Sequence, residues 1–204
     1  MAALRGSSAA RDELPEAAAL NAPLFRSLVD GLQDGKRRVI LDLGPPQPAT
    51  VALFRGHRCR LEIADFANGL DVLNAELAAG TRREVTEAML PKRRDEPTDI
   101  VLCWDLLNYL ERPALAALMS VLAERLRPRA LVHALVIYST PRMALRPLRI
   151  APSDDARLLC QARTGEQKNA PRYTPEDLAK CTPDFEVERA VLLKNGMQEF
   201  LFRR

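Results

Sequence analysis

Apolar residues in this chain fall into two kinds of pattern, short solid runs and longer stretches with helical spacing. "RRVILDL", 37–43, is an aliphatic and β-branched run that predicts a buried strand. "RCRLEIADF", 58–66, alternates apolar and polar positions and predicts a second strand. "TDIVLCWDLLNYL", 98–110, is the strongest strand signal and runs into a polar-aromatic end. "ALVHALVIYST", 130–140, is continuously apolar, as in strands covered on both faces of a parallel sheet.

Helical spacing lies between these runs. Residues 16–33 place Leu24, Phe25, Leu28 and Leu32 near one face, with Pro23 starting or kinking the helix. "PATVALFRG" predicts a short helix with Pro48 early in its first turn. "NGLDVLNAELAAG" ends at Gly80, and "REVTEAML" is read as helix. "RPALAALMSVLAERLRP", 112–128, is amphipathic and expected to stop at Pro128. "TPEDLAKC" predicts a helix capped by Thr174. The chain closes on "FEVERAVLL" and "MQEFLFRR", two strands turned at Asn195-Gly196.

This alternation predicts an α/β fold of three layers, a mostly parallel sheet ending in a C-terminal antiparallel hairpin. One domain is expected over 16–204, with residues 1–15 as a mobile tail and a long Pro- and Arg-rich connection over 141–172. With 204 residues, 47% hydrophobic and 28% charged, the chain can bury a full core. A net charge of +3, with both signs spread along the chain, is too weak to argue for nucleic acid. Cys59, Cys103, Cys160 and Cys181 are scattered, and neither His57 nor His133 stands at ligand spacing from them, so no metal site is expected. Scattered thiols, apolar runs too short to span a bilayer and the lack of a secretory leader suggest the cytoplasm and no membrane partner.

The order of elements resembles the class I S-adenosylmethionine-dependent methyltransferases. "VILDLG" is similar to their first strand and the start of their cofactor loop, and "LEIADF" to their second strand, whose terminal acid holds the ribose. "TDIVLCWDLLNYL" looks like the fourth strand, and "LAERLRPRALVHA" like the "L-x-P-G-G" lead into the fifth. "NGMQEFLF" is similar to the antiparallel seventh. The resemblance implies a Rossmann-like fold of seven strands, with S-adenosylmethionine as cofactor and an unidentified methyl acceptor. A third strand should lie between residues 66 and 98, where only a weak candidate stands near Val85.

The family's D-x-G-x-G-x-G loop is degenerate here: Asp42 and Gly44 stand, but Pro46 and Pro48 occupy the next two glycine positions. Pro45, Pro46 and Pro48 remove three N–H donors and stiffen the backbone. The resemblance carries cofactor binding to Asp42, Gly44, Gln47 and Asp65, and acceptor handling to Asp105, Asn108 and Tyr109. Each has an alternative. Gly44 serves any tight strand-to-helix turn, and Asp65 can cap the next helix. Asp105 and Asn108 can cap or pack, and Tyr109 can fill core. Trp104 and His133 read as core, His57 as exposed, and Tyr138 as standing near the mouth. The basic segment 141–172 suits an acidic acceptor or a plain solvated loop. Two functions stay open: a methyltransferase, or a non-catalytic binding or scaffold protein whose loop is closed by proline.

Overall fold

A computed structural model describes residues 17–153, 157–163 and 165–204. The expected tail at 1–15 lies outside the described residues. The central sheet runs β10-β11-β5-β4-β2-β3. Its parallel strands are β2 (Arg38–Asp42), β3 (Cys59–Ile63), β4 (Thr98–Trp104) and β5 (Leu126–Ile137). β11 (Met197–Arg203) lies antiparallel to β5, and β10 (Glu186–Leu192) antiparallel to β11. Asn195-Gly196 makes the expected turn, with Gly196 at φ 81° where glycine is favoured.

Strand periodicity divides the core into two layers. Leu41, Val101, Cys103, Val132, Ala134 and Phe202 face α3 (Leu70–Asn74), α4 (Ala79–Met89), α5 (Arg112–Arg125) and α6 (Pro175–Cys181). Their neighbours Ile40, Ile100, Leu102, Leu135 and Leu201 face α1 (Pro23–Asp30) and α2 (Pro48–Arg55). Adjacent residues thus point to opposite faces, and both faces are covered, which is why these strands read as solid apolar runs.

Four expectations are corrected. Among the described residues the central sheet has six strands rather than seven: Val85 lies inside α4, a stretch without a β-branched run. Residues 18–20 form strand β1 (Ala18–Leu20) rather than helix, because Pro23 opens α1 and disfavours helical backbone before it. α5 ends at Arg125, before Pro128, and Leu126 is already extended and paired with Thr98. The 141–172 connection is not irregular throughout. It carries β6 (Arg142–Ala144), β7 (Arg149–Pro152), β8 (Leu158–Gln161) and β9 (Gln167–Asn169), arranged as a β1-β8-β7 sheet and a β6-β9 ladder. Thr174 does cap α6, through a reciprocal box with Asp177.

The helical layer is tied to the sheet by one buried carboxylate. Glu199, fully buried on β11, accepts hydrogen bonds from the backbone N–H of Leu24 (3.0 Å) and Phe25 (2.7 Å) at the start of α1. It also meets Nε2 of the fully buried His133 at 2.9 Å. A negative group at a helix N-terminus satisfies orphan donors and the helix dipole together. Glu199→Ala strands two N–H groups and the imidazole in a dry interior. Chemical denaturation should show a loss of about 3–5 kcal/mol.

Candidate functional site

Open parallel sheets bind ligands beyond the carboxyl ends of their strands, and the strand order here places that crevice beyond β2, β3 and β4. Asp42 ends β2 and is buried. Its Oδ1 accepts from Gly44 N–H (2.8 Å) and from Trp104 Nε1 (2.6 Å). Burial pushes its carboxyl up to about 6, and the two donors oppose that rise.

Trp104, at the end of β4, has φ 50°, a left-handed value that costs a non-glycine residue energy. This geometry lays its indole on Gly44. A Cβ there would lie 2.8 Å from Trp104 Cδ1 and 3.1 Å from Asp42 Oδ1. Glycine is therefore required by the indole's approach, and not only by a turn or a ligand. Phe25 of α1 packs on the indole at 5.5 Å between centroids, and His133 meets its edge at 6.2 Å.

The rest of the loop is stiff. Gln47 is extended and serves as the N-cap position of α2, without a side-chain cap hydrogen bond. Pro48 opens that helix, where its missing N–H costs nothing. Asp65 follows β3 and does not cap the next turn. Its Oδ2 accepts from Asn68 Nδ2 at 2.7 Å, while its Oδ1 is buried without a partner. Thr50 Oγ1, in the first turn of α2, is likewise buried and unpartnered.

The three residues expected to handle an acceptor are brought together, but their polar atoms are already engaged. Asn108 donates to the carbonyls of Asp105 and Leu135, both at 2.8 Å, and accepts from Ile137 N–H at 2.8 Å. It joins the exits of β4 and β5. Asp105 Oδ2 accepts from Leu148 N–H at 3.0 Å, and burial pushes its carboxyl up to about 7. The Tyr109 hydroxyl donates to the carbonyl of Arg146 (2.8 Å), with that of Ala144 at 3.1 Å. These bonds hold the 141–152 segment over the strand ends. Tyr138 is exposed.

Beside Tyr109 opens a cleft of about 650 Å³, lined in part by Asn74, Arg112, Lys168, Arg172 and Tyr173. The Lys168 ammonium lies 4.7 Å above the Tyr109 ring, and burial lowers its pKa. Sequence reasoning flagged this basic segment but missed the approach of Trp104 to Gly44, the buried Thr50 hydroxyl and Glu199. An acid inside the apolar strand "MQEFLF" was the available signal for Glu199. Among the described residues, no group of His, Cys, Asp and Glu could hold a metal, and no helix is long and apolar enough to cross a membrane.

No family model and no curated protein matches this sequence. Solved structures do. The glycopeptide N-methyltransferase MtfA, complexed with S-adenosylhomocysteine, superposes with TM-score 0.50 at 13% identity, over 89% of this chain and 89% of its own. The PH0226 protein of Pyrococcus horikoshii OT3 gives TM-score 0.50 at 12% identity, over 90% and 92%. The pyocyanin biosynthetic protein PhzM gives 0.48 at 18%, over 88% of this chain but 54% of its own, so the chain spans about half of PhzM. The strand order and the likenesses to MtfA and the PH0226 protein show a Rossmann-like methyltransferase fold.

The raised carboxyl of Asp105 has a defined sign. Its folded pKa lies above the ordinary 3.8, so the folded state holds a proton that the unfolded state releases. Stability from this group is full below pH 3.8 and is lost as pH rises to about 7. Asp105→Asn should flatten that part of the Tm-against-pH curve relative to the parent. Identical slopes would refute the buried acid.

Proposed function

We propose that the protein is an S-adenosylmethionine-dependent methyltransferase acting on an unidentified acceptor. The observation that carries this reading is Asp65 Oδ1, a buried acceptor without a partner at the end of β3, in a sheet of this family's strand order. MtfA, of the same fold, is seen with S-adenosylhomocysteine. Asp65 suits the ribose end of such a cofactor, where its unpartnered Oδ1 would accept from the hydroxyls.

The methionine end fits only with the indole displaced, because Trp104 covers Gly44. There, Gln47, Ala49 and Thr50 keep their backbone N–H groups, and the three prolines offer none. When bound, the cofactor supplies an electrophilic methyl group on a sulfonium. This chain's part is positioning and exclusion of water. Asp105 and Asn108 fix the strand exits. The cleft beside Tyr109 supplies Arg112, Lys168 and Arg172 to an acceptor with acidic character.

A second reading, a non-catalytic binding or scaffold protein, is favoured by one observation. The Trp104–Asp42 hydrogen bond, at 2.6 Å, fills the turn with the protein's own side chain. Calorimetry with S-adenosylmethionine and S-adenosylhomocysteine separates the two. A methyltransferase binds both saturably and loses them in Asp65→Ala. If the parent shows no binding at millimolar ligand while Trp104→Leu or the Pro46→Gly, Pro48→Gly pair gains it, the scaffold reading stands instead.

A further inference from the structure

The opposite end of the sheet carries a second feature. Between α1 and the amino-terminal ends of β2, β4 and β5 lies a cleft of about 510 Å³, the size range of small-molecule sites. Lys36, Arg37, Arg38, Arg127 and Arg129 line it, and Asp99 is the only acid among its lining residues. Asp99 is already committed. Its Oδ1 meets Arg127 Nε at 2.9 Å, and its Oδ2 accepts from Val39 N–H at 2.8 Å. Arg37 and Arg38 reach acids outside the cleft, Glu96 at 2.9 Å and Asp34 at 2.8 Å. Lys36 has only Asp34, at 3.8 Å. Arg129 is exposed, with no acidic partner among the described residues.

Arg129, like Trp104, also has a left-handed backbone among the described residues. It sits at φ 69°, where glycine is at ease and arginine is strained. Its N–H donates to Arg204 O at 2.8 Å, and Arg204 N–H donates to Ala130 O at 2.9 Å. These bonds hold the chain in that conformation. A strained position that carries a cation at the rim of a cationic cleft is an observation separate from the cleft's charge.

We propose that this cleft binds a phosphate-bearing ligand. Guanidinium forks match phosphate oxygens in pairs, and the local excess of cations would draw an anion. The lining holds no aromatic side chain on which a base could stack. None of the exposed large hydrophobic residues lines it, so nothing there would enter a bilayer. The phosphate belongs to a free phosphorylated small molecule or to a nucleic-acid backbone.

The test uses the full chain with two probes. Calorimetry with inorganic pyrophosphate reads the free source. Anisotropy of a short labelled RNA duplex reads the polymer. Saturable pyrophosphate binding that falls about tenfold in Arg129→Gly and weakens with salt supports a free ligand. Duplex binding that is lost in the same variant, and that pyrophosphate displaces only in large excess, supports a backbone. Arg129→Gly should keep a Tm at or above the parent's, because glycine accepts this φ, so weaker binding cannot be put down to unfolding. Failure of both probes to bind, or unchanged binding in Arg129→Gly, overturns the proposal. S-adenosylhomocysteine binding serves as a separate readout, because its crevice lies at the other end of the strands.

Discussion

The Glu199 carboxylate is the constraint from which the arrangement at the strand ends follows. It fixes the start of α1 against β11 and β5 through two backbone N–H groups and His133. With α1 held there, Phe25 packs on Trp104, and Trp104 reaches Asp42 across the top of β2. A buried carboxylate on an edge-ward antiparallel strand thus sets, through two rings, what stands over Gly44. Each contact is short-ranged, but the series crosses the sheet from β11 to β2.

The prolines and the tryptophan act on the same few ångströms in different ways. Pro45, Pro46 and Pro48 take donors from the loop and stiffen it. Trp104 adds a donor, from its indole, and directs it at Asp42. The aspartate that an empty crevice would leave exposed is thereby satisfied by the protein itself. Asp65 Oδ1 and Thr50 Oγ1 gain no such substitute. One aspartate at the strand ends is satisfied from within, and the other keeps unmet hydrogen-bonding capacity.

Much of the fold was legible because both sheet faces are covered, which leaves strands as solid apolar runs between helical spacings. The hairpin at Gly196 and the cap at Thr174 were legible because their chemistry is local. Strand β1 was not: its pairing partner, β8, lies about 140 residues away, and nothing in "AAL" announces it. The site was legible by position only. Asp42, Gly44, Asp105, Asn108 and Tyr109 do gather at the strand ends, as the element order suggested. What their polar atoms touch depends on Trp104 and on the fold of the 141–152 segment. That segment's register is set by tertiary contacts, which spacing along the chain does not encode.

The six-strand sheet has a consequence for self-association. Where a seventh strand would continue the ladder, β3 ends it, presenting backbone groups that another molecule's strand could use. Arg60 and Glu62, both on β3, stand beside Arg94 and Glu96 in a lattice of ion pairs along that border. An incoming strand would have to strip water from these charges and break their pairing before gaining its first ladder bond. On this border, then, paired charges stand where the family's further strand would lie.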